Sequence, residues 1–410
     1  MNQKESFLSA PAEIPCGNTL FASRMAKTPK SFIREILKVT EDPQIISFAG
    51  GLPSPDLIDV PGIAEAAGRV LAADGKIALQ YSTTEGYLPL RQFIADLYKK
   101  RLGLDIPADE ILIANGSQQC LDLIGKVFID KDDSIAIERP GYLGAIQAFS
   151  LYEPRFHPVI LHEDGPDTSM LVEVIEKYRP KFFYGVPNSQ NPSGITYSAE
   201  RRSEVAAVLA GTRTFFIEDD AYGELNFSGI SLPSFRKYLP QQTIITGSFS
   251  KILAPGMRLG WIVAPKEVME QLVIAKQASD LHSNYLCQRI AFEYLSHTDI
   301  DLHIRTIQST YGKRCRLMQD LIHEQFPESV RCTRPEGGMF VWVTLPDGIS
   351  SMDIFDAAIR EQVAVLPGRP FFIDGGGDNT LRINFSNSSE EMIREGIRRL
   401  ARVIRRLGIA

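Results

Sequence analysis

Phe215-Phe216-Ile217-Glu218-Asp219-Asp220-Ala221-Tyr222 passes from an apolar run straight into acids and a tyrosine. A run this short and this bulky reads as a buried strand, and the acids mark where it leaves the core. The same grammar recurs on both sides. Toward the N-terminus lie Phe182-Phe183-Tyr184-Gly185-Val186, Ser134-Ile135-Ala136-Ile137 and Ile111-Leu112-Ile113-Ala114; toward the C-terminus lies Ile244-Ile245. Helical patterns fall between them, most clearly at 119–129 and 199–210. Apolar strands separated by helices predict a mostly parallel sheet covered on both faces, an α/β domain of the open, doubly wound kind.

A chain of 410 residues has room for two to three domains at roughly 150 residues each. Beyond about residue 290 the pattern changes, and a smaller α+β domain is expected. Ile393, Ile397, Leu400, Ile404 and Leu407 recur at helical spacing and predict an amphipathic helix. The arginines on its other face (394, 398, 399, 402, 405 and 406) read as a solvated surface. The first 30 or so residues lack periodicity. Residues 31–40, SFIREILKVT, read as a short helix capped by Ser31. The expected division is an N-terminal arm and helix over 1–58 packing with the small domain, a large domain over 59–290, and a small domain over 291–410.

A net charge of −6 argues against a dedicated nucleic-acid or membrane-surface protein. The six histidines show no metal-ligand spacing, so no metal site is expected. Cys16, Cys120, Cys287, Cys315 and Cys332 are scattered and odd in number, which suits free thiols in a reducing cytoplasm. The first residues contain acid and proline where a signal peptide needs an apolar run. No apolar stretch approaches the roughly 20 residues of a membrane helix. A cytoplasmic protein is expected.

In an open α/β sheet, ligands bind outside the carboxyl ends of the strands. Asn115-Gly116-Ser117-Gln118 opens a helix and can offer backbone N–H groups to an anion, although Ser117 is equally suited to be a plain helix cap. Tyr142 follows the turn Glu138-Arg139-Pro140-Gly141 and can stack on a planar ring or simply pack. Asn191, in Asn188-Ser189-Gln190-Asn191-Pro192-Ser193-Gly194, can donate to a phenolate or serve turn chemistry alone. Glu218, Asp219 and Asp220 at a strand end need partners if buried. The most specific stretch is Gly247-Ser248-Phe249-Ser250-Lys251, followed by Pro255-Gly256-Met257-Arg258-Leu259-Gly260. Lys251, between hydroxyls and an apolar run, is suited to a depressed pKa and a nucleophilic amine. Arg258 lies past a Pro-Gly turn that can fold it back, and its guanidinium fork matches a phosphate. Each loop alone is weak. Together they supply what one cofactor needs.

This set, in this order, resembles the fold-type I pyridoxal-phosphate aminotransferases of class I/II, and within them the branch of 2-aminoadipate and kynurenine/aminoadipate aminotransferases. The resemblance runs from about Ser31 to the end of the chain. It implies a pyridoxal 5'-phosphate cofactor and transfer of an amino group from an L-amino acid to a 2-oxo acid. It implies a central, mostly parallel sheet flanked by helices in the large domain, plus the smaller α+β domain. Lys251 would be the Schiff-base lysine. Asp219, three residues before Tyr222, would pair with the pyridine nitrogen. Tyr222 and Asn191 would bond the phenolic oxygen, Tyr142 would stack on the ring, and Ser117, Gln118, Ser248, Ser250 and Arg258 would hold the phosphate.

Arg382, in Leu381-Arg382-Ile383-Asn384, would clamp the substrate α-carboxylate, and the turn at Gly50-Gly51 would lie beside the substrate. Tyr81 would reach the phosphate of a neighbouring subunit, implying a homodimer with shared active sites. Arg34 would meet a distal carboxylate of glutamate or 2-aminoadipate, although relatives also accept aromatic and branched substrates. Two departures are visible: Ser193 stands where threonine is usual, and Ala221 where proline is frequent. Only about 30 residues precede the resemblance, too few for the winged helix of related transcription regulators. Two other readings compete: a β-elimination or decarboxylation on the same scaffold, and a non-catalytic effector-binding protein.

Overall fold

A computed structural model of the protein describes residues 21–27 and 42–407. The helix expected at 31–40, with Arg34, lies outside the described residues. In chain order the strands are β1 (Ile46–Ser47), β2 (Ile111–Ala114), β3 (Ser134–Arg139), β4 (Arg155–His162), β5 (Gly165–Pro166), β6 (Phe182–Gly185), β7 (Phe215–Asp220), β8 (Thr243–Ser248), β9 (Gly260–Val263), β10 (Arg331–Cys332), β11 (Phe340–Thr344), β12 (Val363–Ala364), β13 (Leu366–Pro367) and β14 (Thr380–Asn384). All five expected runs are strands of one eight-stranded sheet, in the order β2-β9-β8-β7-β6-β3-β4-β5.

From β8 to β4 every neighbouring pair is parallel. Edge strand β5 turns back antiparallel to β4, and inside the sheet β9 is antiparallel to both β2 and β8. The cause of the β9 reversal is the link before it. Residues 249–259 contain no crossover helix, and a parallel return needs a dozen or more residues. β4, which carries Pro158 and several part-exposed residues, lies near the sheet edge, where proline is tolerated.

Strand periodicity sorts the core into two faces. Tyr184 and Ile217 join the larger buried cluster, whereas Phe183 and Phe216 join a second one with Leu171, Val205 and Leu209. Helices Thr168–Tyr178 and Ala199–Leu209 supply those last three, and their first turns are capped by the Asp167 and Ser198 side chains. Each buried phenylalanine is worth on the order of 1.5–3 kcal/mol.

A second, four-stranded antiparallel sheet has the order β10-β11-β14-β13. Helix Glu390–Arg406 lays Ile393, Ile397, Leu400 and Ile404 inward, fully buried. Leu407, expected on the same face, falls just past the helix and is exposed. Among its arginines, Arg398 and Arg399 pair with Glu395, and Arg402 and Arg406 with Glu361. The N-terminal segment joins this part of the molecule: β1 pairs parallel with β12, and the Phe48 carbonyl accepts from the Asn384 N–H at 2.8 Å. Helix Tyr285–His297 crosses the expected boundary at 290 and packs on helix Val60–Ala78.

Candidate active site

The carboxyl ends of β2, β3, β6, β7 and β8 open into one cleft of about 850 Å³. Side chains alternate along β7, and of its aspartates only Asp219 lines this cleft. The Asp220 carboxylate accepts from the Asn188 amide at 2.7 Å, and the Glu218 carboxylate from the Ser234 hydroxyl at 2.5 Å. Asp219 is 3 % exposed and accepts from the Tyr184 hydroxyl at 2.6 Å and the Thr246 hydroxyl at 2.9 Å. Burial pushes its carboxyl up to about 6; the two hydroxyls counter this only in part, and no cation contributes. A buried, accept-only group with spare lone pairs therefore faces the cleft with nothing positive beside it. Sequence reasoning missed Tyr184 and Thr246. Their only signal is a hydroxyl inside an otherwise apolar strand.

Lys251 lies three positions past the end of β8 and reaches back to donate from Nζ to the Gly51 carbonyl at 2.9 Å. Burial first, then the positive fields of Arg382 and Arg258, lower its amine to about 8. Arg382, on β14 of the second sheet, is 1 % exposed. It donates to the Asn191 amide oxygen at 2.8 Å and to the Ala49 carbonyl at 2.7 Å, while its Nε has no partner. Its guanidinium lies 4.1 Å from the centre of the Phe340 ring. Burial lowers it to about 10, and no carboxylate contributes to its environment. The Asn191 amide in turn donates to the Tyr222 hydroxyl at 3.3 Å. Arg382, Asn191 and Tyr222 thus form one chain of contacts between the two sheets.

The far end of the cleft is basic and rich in backbone donors. Helix Ser117–Phe128 begins with Gly116 as its cap, not Ser117, and no side chain caps it. Gly116 has φ +81°, and a Cβ there would lie 2.5 Å from the Arg258 guanidinium. Arg258 comes out of the turn Pro255–Met257 in a left-handed conformation and folds back to donate to the Asn115 carbonyl at 3.2 Å. Ser117, Gln118, Ser248 and Ser250 line the same end. The exposed helix start, the dipole and the guanidinium make an anion seat. Lys276, Gln119 and Asn115 converge behind it on Asp280. Tyr142 caps helix Leu143–Ser150 and lines the cleft. Its ring lies so close to Gly144 that an added Cβ would meet it at 2.6 Å.

Among the described candidates, three do not line this cleft: Arg382 and Gly51, which meet it through Asn191 and Lys251, and Tyr81. Tyr81 is 78 % exposed, packs edge-on to His282 and does not line this cleft. Among the described residues there is no group of acids, histidines and cysteines that could hold a metal ion, and no helix is long and apolar enough to cross a membrane.

Comparison with known proteins gives a consistent picture. The family model for aminotransferase class I and II matches residues 44–400. The 2-aminoadipate transaminase of Thermus thermophilus is 42 % identical over 391 residues, covering 94 % of this chain and 97 % of that protein. Aromatic-amino-acid aminotransferase 1 of Thermococcus litoralis is 40 % identical over 391 residues, covering 94 % of each. Among solved structures, LysN, the α-aminoadipate aminotransferase of Thermus thermophilus complexed with N-(5'-phosphopyridoxyl)-L-leucine, superposes with a TM-score of 0.89 at 41 % identity, covering 95 % of this chain and 98 % of that one.

Proposed function

The chain belongs to the class I and II aminotransferases and is a pyridoxal-phosphate-dependent enzyme, and on that premise we propose that it moves the amino group of an acidic L-amino acid, glutamate or 2-aminoadipate, to a 2-oxo acid. Pyridoxal phosphate, when bound, supplies a ring that takes up the electron pair left as a bond at the substrate Cα breaks. The residues fit that group by charge. The observation that carries the reading is a pair of complementary unpaired charges: Asp219, lining the cleft and buried without a cation, and Arg382, joined to the cleft through Asn191 and buried without an anion. Asp219 suits a protonated ring nitrogen. Arg382 suits the α-carboxylate, held by the fork of its guanidinium. Lys251, between them, has an amine lowered to about 8, which leaves it poised to bond the cofactor and to move the Cα proton at Nζ.

The remaining roles follow from position. Tyr222 and Asn191 orient the phenolic side of the ring, and Tyr142 covers its face. Gly116 leaves room for Arg258 at the phosphate, with Ser117, Gln118, Ser248 and Ser250 as further donors. The Gly51 backbone lies beside the substrate. Tyr81, exposed and outside the cleft, suits service to a partner subunit's phosphate, so we assign a homodimer as the working form. A cytoplasmic location suits the scattered free thiols. The N-terminal arm through 58 and the part from 291 onward would bring the substrate side, and residues 59–290 the cofactor side.

The acidic preference rests on Arg34, with the 2-aminoadipate relative in support and the aromatic relative as the contrary case. A panel of acidic, aromatic and branched donors, run on the wild type and on Arg34→Ala, tests it. The expected result is a loss confined to acidic donors; an equal loss on all three classes refutes the distal-carboxylate role. A Lys251→Ala protein that still transaminated would overturn the assignment of the amine itself.

A further inference from the structure

Glu138 has no part in the site as described so far. It is the penultimate residue of β3, 1 % exposed, and stands four positions before Tyr142. Its carboxylate accepts from three donors, all neutral. Oε1 takes the Val186 N–H at 2.9 Å and the Tyr197 hydroxyl, and Oε2 takes the Gln190 side-chain amide at 3.0 Å. Burial pushes the carboxyl up to about 7, with the Tyr197, Gln190 and Val186 donors working against that rise. A buried acid surrounded by neutral donors is costly to keep. What it offers in return is an acceptor with no donor of its own.

Those donors belong to the loop that carries Asn191. Gln190 is fully buried and acts as the hub. Its amide nitrogen also donates to the Pro140 carbonyl at 2.8 Å, and its amide oxygen accepts from the Ser193 N–H at 2.8 Å and the Ser193 hydroxyl at 2.6 Å. Its backbone closes the loop through Ile195 and Gly194. Asn191 sits at the tip of this frame. Its own amide is spent on Tyr222 and Arg382, so the frame and not Asn191 fixes where that amide lies.

We infer that Glu138 is a positioning residue for transamination: it ties the turn bearing Tyr142 to the loop bearing Asn191, and so sets the amide that serves both the ring's phenolic oxygen and Arg382. The inference rests on the roles proposed above for Asn191 and Tyr222. An isosteric Glu138→Gln puts its amide N–H groups against the Gln190 amide at one oxygen's place, or against the Val186 N–H and Tyr197 hydroxyl at the other's, and loosens the loop. A displacement of that kind at a reacting centre costs about 10- to 100-fold in kcat/KM. A hydrogen bond to the phenolic oxygen also sets the proton equilibrium that the cofactor's absorbance reports.

The test uses holoenzyme without substrate, titrated with pH and followed by cofactor absorbance, beside kcat/KM for glutamate. In E138Q the spectral midpoint should move by about half a pH unit or more, a threefold change in the proton equilibrium. A midpoint and a kcat/KM within about twofold of wild type overturn the inference, whatever happens to the melting temperature. If E138Q does not accumulate as folded protein, Gln190→Met keeps the carboxylate and its bonds to Val186 and Tyr197, removes the bond between Oε2 and residue 190, and is judged by the same two readings. Asn191→Ala separates the layers. If it leaves the midpoint unmoved, the role of Asn191 fails; if it moves the midpoint and E138Q does not, only the role of Glu138 fails.

Discussion

Replacing Asp219 by asparagine should stabilise the cofactor-free protein while weakening its hold on pyridoxal phosphate. Burial raises the Asp219 carboxyl from 3.8 to about 6, and a difference of that size corresponds to about 3 kcal/mol. The sign follows from the direction. A folded-state value above the unfolded one makes ionisation costly to the fold. The cost is absent below about pH 4, grows between 4 and 6 and is full above 6. Asparagine removes it while keeping both local bonds, because its oxygen can accept from Tyr184 and its amide can donate to Thr246. For 410 residues the unfolding entropy is about 0.9 kcal/mol/K, so the gain above pH 6 is at most about 3 °C in melting temperature. With cofactor present the balance reverses. The variant leaves a buried ring cation unpaired, a loss of about 3–5 kcal/mol, or roughly 10²- to 10⁴-fold in affinity. The assay is thermal melting of both cofactor-free proteins from pH 4 to pH 8, followed by cofactor titration at pH 8. A difference that stays flat across this range, or a variant that melts below wild type at pH 8, refutes the reasoning.

Arg382→Lys keeps the charge but loses the planar fork and the contacts to Asn191 and Ala49. Steady-state kinetics should show kcat/KM lower by about 10- to 100-fold for amino donor and oxo acid alike, with cofactor affinity unchanged. Gly116→Ala places a Cβ 2.5 Å from the Arg258 guanidinium at a backbone φ of +81°. Equilibrium titration should show cofactor affinity down by about tenfold or more, the cost of backbone strain of about 1–3 kcal/mol, with KM for the amino donor little changed in cofactor-saturated enzyme.

The fold was legible because its signal is local. Five apolar runs ending in polar turns predicted five strands, and all five pair in one sheet. The candidate residues were legible for the same reason, since an open sheet delivers whatever follows each strand to one edge. What was not legible is what depends on partners far away in the chain. The reversal of β9 turns on the length of a linker. The Tyr184 hydroxyl looks like one more aromatic in an apolar run until Asp219 is seen 35 positions later. Glu138 reads as a turn acid, because its Gln190 partner lies 52 residues on. Ser117 was read as a possible cap, but the left-handed backbone at Gly116 takes that position.

The segment at 49–51 meets the Arg382 guanidinium and the Lys251 amine with neutral acceptors. The Ala49 carbonyl accepts from Arg382 and the Gly51 carbonyl from Lys251. Both groups are therefore satisfied by dipoles, not by charges. A carboxylate beside Arg382 would compete with an anionic substrate, and one beside Lys251 would raise its amine and hold it protonated, whereas a carbonyl orients either donor without adding a charge. That explains the attachment of the N-terminal segment to the second sheet through β1 and β12. The pairing holds two neutral acceptors, two residues apart, between an arginine from β14 and a lysine from the end of β8. The sequence signature of this arrangement is a run with no acid from Ile45 to Ser54, since an acid there would neutralise Arg382 or hold the Lys251 amine protonated.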